Sequence, residues 1–307
     1  MQRGRAAALL VWASASACSE YDLPSLRYET EQAVIGTDIS KPLCGYDLPW
    51  IDEQIEFTEG MLNAAADEKL EIYIYAKDVP EPCGGRAGVV GCYKPDEKII
   101  ASVWWAVDHE IVHAVADRFS DASVFWDEGI AEALRRGRPT IRGWIPVVQN
   151  ASVDTSREVE RFGAGHFVRW LINEYDIDTV RDLLTGTPPG EVTGNSLEDL
   201  SAMYESESMA AYPSWAPCDY PELANVGPGL WDETVEVSCR RPDVSRFGRF
   251  GEGAFTLLRS VELSGGRYEF KVSGGNVGSC FIRQSIRSFR KRHCSICLSV
   301  ERLTGQN

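Results

Sequence analysis

Trp104-Trp105-Ala106-Val107-Asp108-His109-Glu110-Ile111-Val112-His113, followed by Phe125-Trp126-Asp127-Glu128-Gly129-Ile130-Ala131-Glu132, is the part of the chain from which the rest can be read. His109 and His113 stand four apart. On a helix that spacing puts both on one face, so two imidazole nitrogens can converge on one metal ion. Glu110, beside the first histidine, is placed to take a proton from a water at that metal. A catalytic zinc takes three protein ligands and keeps a fourth position for water or substrate. Glu128 is the candidate for the third. It opens an apolar run (Ile130, Ala131, Ala133, Leu134) that predicts a second helix with Glu128 on its first turn. Glu132 lies one turn further along the same face. Gly129, with no side chain, is expected to let this helix come close to the metal helix, which favours Glu128 as the ligand. The plainer alternative is a helix whose two histidines only pack or face solvent.

The pattern H-E-x-x-H followed by W-x-E-G-x-A-E resembles the gluzincin metallopeptidases, in which two histidines and a downstream glutamate hold zinc. The E-G-x-A-E form is most similar to the peptidase MA-like branch, and the run Ala164-Gly165-His166-Phe167-Val168-Arg169-Trp170-Leu171 extends the resemblance over about residues 44–205. Fourteen residues lie between His113 and Glu128, fewer than in the aminopeptidase members. The resemblance implies one Zn2+ per chain on His109, His113 and Glu128, with Glu110 as general base. It implies that Glu132 orients a ligating imidazole through its other ring nitrogen. A downstream His or Tyr would stabilise the oxyanion, with His166, Tyr175 and Tyr204 as candidates. The implied activity is zinc-dependent hydrolysis of peptide bonds in a peptide or protein substrate. Two rivals are a cell-surface binding lipoprotein that keeps the fold with little or no turnover, and a non-hydrolytic metal-binding lipoprotein.

Composition narrows the partners. Hydrophobic residues make up 44% and charged residues 25% of 307, enough for a sizeable core in one large or two smaller domains. A net charge of −15 would repel a nucleic-acid backbone, so no nucleic-acid partner is expected.

At the N-terminus Arg3 and Arg5 precede the apolar run Ala6–Trp12 and the small residues Ala13–Ala17, the order of a signal peptide. Ala15-Ser16-Ala17-Cys18 resembles a bacterial lipobox with Ala15 where Leu is usual. Cys18 is therefore the expected lipidation site, anchoring the protein to the membrane of the cell envelope; an ordinary signal cut at an A-x-A site and secretion is the alternative. Acylating Cys18 would leave eight of the nine cysteines, an even number for disulfides.

The expected fold class is α+β, a gluzincin-type domain followed by a small all-β, sandwich-like domain. The expected boundaries are a signal peptide at 1–17, a tether and first strand at 18–43, the zinc domain at 44–205, a linker at 206–232 and the β-domain at 233–307. Within them the pattern predicts a first strand over Tyr28–Val34, a helix over 50–66, and strands over Leu70–Tyr75 and Ile99–Ile100. It predicts further helices over 162–175, around Val180–Leu184, and over Leu197–Tyr204. Cys83 and Cys92 bracket a glycine-rich loop and suit a short disulfide. Past residue 212 short strands are expected at 234–237, 254–258, 268–272 and 280–282. Cys294 and Cys297 on a further strand would seek separate partners among Cys218, Cys239 and Cys280. The basic run Arg283, Arg287, Arg290, Lys291 and Arg292 reads as a solvated loop.

Overall fold

The computed structural model describes residues 22–212 apart from 41, 66–67, 80, 86–87, 120–121 and 137–138; beyond them it describes Trp215, 221–227, 230–231, 239–245 and the strand backbones 256–263, 279–285 and 294–301. The first half is a five-stranded sheet under helices. Strands β1 (Leu26–Glu29) and β2 (Ala33–Thr37) form an antiparallel hairpin. Helix α1 (Asp47–Leu62) then crosses to β3 (Leu70–Tyr75), which pairs parallel with β2. Next come β4 (Gly91–Lys94) and β5 (Ile99–Val103), the order across the sheet being β1-β2-β3-β5-β4. Strand β5 is buried at every residue and pairs parallel with β3, as a central strand should.

Two expectations shift here. The single strand expected over Tyr28–Val34 is a hairpin, with its turn at residues 30–32. Glu31 and Gln32 donate backbone N–H groups to the Asp52 carboxylate of α1 at 3.2 and 3.1 Å, and these bonds hold the turn. Strand β2 is inside the sheet, so the packed body reaches back across the boundary drawn at residue 44. Strand β4 was not foreseen, because Gly91-Cys92-Tyr93-Lys94 is half-buried along its length and shows no alternation.

From β5 the chain makes one 3-10 turn, Trp104–Ala106, into α2 (Val107–Ala116) and then α3 (Val124–Ala133). Glu128 therefore sits on the second turn of its helix, since Phe125 and Trp126 extend the helix backwards and bury against the core. The short β6 (Thr140–Ile141) and α4 (Val147–Ala151) lead to α5 (Arg161–Glu174), followed by α6 (Ile177–Leu184), α7 (Pro189–Thr193) and α8 (Leu197–Glu207). Helix α5 is buried continuously from Gly163 to Ile172 and is the helix against which α3 packs. Phe125, Phe167 and Trp170 are fully buried there, with Phe125–Phe167 and Phe167–Trp170 centroids 6.1 and 5.6 Å apart.

Strand β7 (Ala211–Tyr212) pairs with β6, and β8 (Asn225–Gly227) with β9 (Leu230–Trp231). Strands β10 (Val244–Ser245), β11 (Thr256–Leu263), β12 (Ser279–Ser285) and β13 (Cys294–Glu301) make an antiparallel sheet in the order β10-β11-β13-β12. The strands expected at 254–258 and 280–282 fall on β11 and β12; those at 234–237 and 268–272, and residues 286–293 of the basic run, lie outside the described residues. The overall class is mixed α and β.

Two disulfides are present. Cys83–Cys92 closes the glycine-rich loop as its spacing suggested. Cys44–Cys239 ties the start of α1 to a segment 195 residues away. Cys239 is thus not a partner for Cys294 or Cys297; burial of Cys44 beside Gly45, whose N–H donates to Cys239 O at 2.9 Å, decides the pairing. Disulfides place the chain in an oxidising, extracytoplasmic setting. No helix among the described residues is long and apolar enough to cross a membrane.

Candidate metal centre

Helix α2 carries His109 and His113 towards α3, which returns Glu128 to them. His109 Nε2 lies 3.1 Å from His113 Nε2 and 3.2 Å from Glu128 Oε2, and His113 Nε2 lies 3.9 Å from Glu128 Oε2. Ligands bound at 2.0–2.1 Å around a tetrahedral ion stand about 3.3–3.4 Å apart. Two of the three separations lie close to that spacing and the third, at 3.9 Å, is somewhat longer; two imidazoles with one carboxylate are a donor set that suits zinc. Among the described residues His109, His113 and Glu128 are the group able to hold a metal ion.

Each histidine is backed by an acid. His109 Nδ1 is 3.5 Å from Glu132 Oε2, and His113 Nδ1 is 3.0 Å from Asp127 Oδ1. Such contacts fix which ring nitrogen faces the ion. Glu132 therefore lies on the Nδ1 side of His109, opposite the nitrogen that faces Glu128. Asp127 was missed, although its place immediately before Glu128 was visible.

Glu132 is itself held. Arg135 Nη1 donates to Glu132 Oε2 at 3.0 Å, its Nη2 to Trp105 O at 3.0 Å and its Nε to Asp108 Oδ1 at 3.2 Å. Asp108 also accepts from the His109 backbone N–H at 3.0 Å. One buried guanidinium therefore bolts α3 to the start of α2. The i,i+3 spacing of Glu132 and Arg135 was the available signal.

The charges answer one another. Burial alone would lower the His109 pKa, but hydrogen bonding to Glu128 and Glu132 carries it up to about 10. Burial would raise Glu132, yet His109 and Arg135 hold it down to about 2. Glu110 goes the other way: buried and without a hydrogen bond of that kind, its carboxyl is raised above the usual range. A base is most effective when its pKa nears the working pH.

The side chains open onto a cleft of about 610 Å³. Its walls are the Cys83–Cys92 loop with β4, the α2–α3 connection, and the segment 156–161. Gly91 of β4 lies against Glu110: a Cβ there would be 2.7 Å from Glu110 Oε1 and 2.5 Å from Ser102 Oγ. The absence of a side chain makes room for the Glu110 carboxylate.

Gly129 serves a different neighbour from the one expected. A Cβ there would sit 2.7 Å from Val168 Cγ2 and 3.3 Å from Ala164 O, both on α5. It lets α3 approach α5, not α2. Gly165 of α5 faces back, 2.6 Å in the same sense from Glu132 Cβ.

His166 is not brought to the cleft. Its ring is 0% exposed, shares a 2.9 Å hydrogen bond between Nδ1 and the Tyr204 hydroxyl, and packs on Tyr212. Burial, then the nearby Arg142 charge, lowers its pKa to about 4. Tyr175 accepts from Asn195 Nδ2 at 3.2 Å, and neither tyrosine lines the cleft. Helix α5 is buried on all sides from Gly163 to Ile172, so residue 166 has no solvent face and lies in the core.

No family model, no curated protein and no solved structure matches the chain.

Proposed function

We propose that the chain is a zinc metallopeptidase of the gluzincin, peptidase MA-like type, exported and lipid-anchored through Cys18, with its C-terminal strands forming an all-β accessory domain. The observation that carries this reading is the triangle of His109, His113 and Glu128 donor atoms beside a buried Glu110 in an open cleft. A bound zinc ion supplies Lewis acidity there, lowering the pKa of water towards about 7 and polarising a carbonyl. His109, His113 and Glu128 would hold it, with Glu132 and Asp127 fixing the imidazoles. Glu110, its pKa raised by burial, takes the proton of the attacking water and returns it to the leaving nitrogen.

Strand β4 supports a peptide as substrate. It is an edge strand and lines the cleft beside Glu110. An extended peptide laid along such an edge can add to a sheet by backbone pairing.

The test compares native protein with Glu110→Gln on a mixed peptide pool, with and without zinc. Native protein should carry one zinc and cleave; the variant should keep its zinc and lose hydrolysis by several orders. A zinc-loaded native protein inert on every peptide would favour a binding protein instead.

A further inference from the structure

The cleft contains two charges that the hydrolytic machinery does not use. Between α4 and α5 the segment 156–161 brings Arg157 and Arg161 to the lining, and both are exposed. Neither makes an ion pair or hydrogen bond among the described residues. Four other arginines of this body are held by acids: Arg135 by Asp108 and Glu132, Arg136 by Glu53, Arg142 by Glu205, Arg181 by Asp178. With 46 acids to 31 Lys and Arg, counter-ions are plentiful in this chain. Two guanidiniums left without one on the lining of the same cleft are contrary to that composition.

Four nearby acids have partners of their own. Glu160, adjacent to Arg161, is 6% exposed and accepts from the Gly163 N–H at 2.9 Å as the cap of α5. Within the cleft Glu128 faces His109, Asp127 faces His113, and Asp117 accepts from the Tyr93 hydroxyl at 3.2 Å. The segment is also anchored. Buried Asn150 of α4 donates to Glu160 O at 3.0 Å and accepts from Glu160 N–H at 2.8 Å, while Glu158 N–H and Val159 N–H close a turn on Thr155 O. The field of Arg161 reaches both Glu110 and Glu128, so the cation stands near the reacting centre.

We infer that Arg157 and Arg161 form a carboxylate-binding subsite, and that the substrate carries a carboxylate close to the bond at the metal. A guanidinium presents a planar fork that matches a carboxylate in two parallel hydrogen bonds. The nearby Glu110 and Glu128 favour a singly charged group over a doubly charged one. In a peptide that group is either a free C-terminus or an Asp or Glu side chain. The peptide nature of the ligand rests on the proposed metallopeptidase activity; the anion subsite does not.

Three metal-directed probes separate these possibilities without turnover: a peptide hydroxamate ending in a free carboxylate, its C-terminal amide, and an amide carrying one glutamate side chain. Calorimetric titration of zinc-loaded protein should find at least one carboxylate form about tenfold or more tighter than the neutral amide. The form that gains most identifies the source of the carboxylate. In Arg157→Gln with Arg161→Gln that margin should vanish, while zinc content and affinity for the neutral amide stay. Equal affinity for all three probes, no binding of any, or a margin that survives both substitutions overturns the inference. Cleavage of peptides without the margin leaves the peptidase reading standing and removes the subsite; the margin without cleavage does the reverse.

Discussion

At the scale of single residues, the centre is a set of paired functions. Glu128 and Glu132 lie one turn apart, yet one faces the metal position and the other the back of His109. Glu128→Ala should abolish stoichiometric zinc under a moderate chelator. Asp127→Asn, which removes only the support behind His113, should keep zinc at about 10–100-fold weaker affinity, measured by competition with a chromogenic chelator. His166 gives a prediction of another kind. Its folded-state pKa of about 4 lies below the ordinary 6.5. Above pH 6.5 neither state binds the proton. As pH falls towards 4 the unfolded chain takes it and the folded chain does not, so stability is lost through that window. Thermal melts of chelator-treated protein should therefore run parallel for native and His166→Gln above pH 6.5, then diverge as native protein falls more steeply.

Among elements, the contact that matters most is α3 on α5. Gly129 and Gly165 let the two helices approach, and the approach places Glu132. Gly165→Ala pits two effects against each other. Alanine is favoured over glycine in a helix by about 1 kcal/mol. Against that, the new methyl would stand 2.6 Å from Glu132 Cβ, a point near the backbone that cannot swing away. Overpacking of this sort costs about 1–3 kcal/mol, so it should win. The melting temperature and the zinc affinity should both drop, because the displaced residue is the one behind His109.

The molecule as a whole is closed by Cys44–Cys239, which joins the start of α1 to the segment leading into β10. A loop of 195 residues constrains the unfolded chain by about 5 kcal/mol in the loop-entropy picture, with about 2–4 kcal/mol usual in measurement. Replacing both cysteines by alanine should lower the unfolding free energy read from denaturant melts by about 2–4 kcal/mol. Removing Cys83 and Cys92, separated by nine, should cost less stability but loosen the cleft wall that carries β4.

The sequence by itself determined that His109 and His113 share a helix face with Glu110 beside them, because i,i+4 spacing is a property of one helix and needs no knowledge of what packs on it. It also determined β3 and the Cys83–Cys92 loop, whose signals are equally local. The hairpin β1–β2, the Cys44–Cys239 bond, the anchoring of Glu132 by Arg135 and the neighbour of Gly129 were decided only in three dimensions. Each depends on which surfaces meet across long stretches of chain. His166 shows the difference most plainly: its chemistry suited an oxyanion, but α5 is buried on all sides there and holds it in the core beside Tyr204. Arg157 and Arg161 are the converse case, ordinary surface arginines in the sequence that a turn fixed by Asn150 and Glu160 brings to the metal cleft.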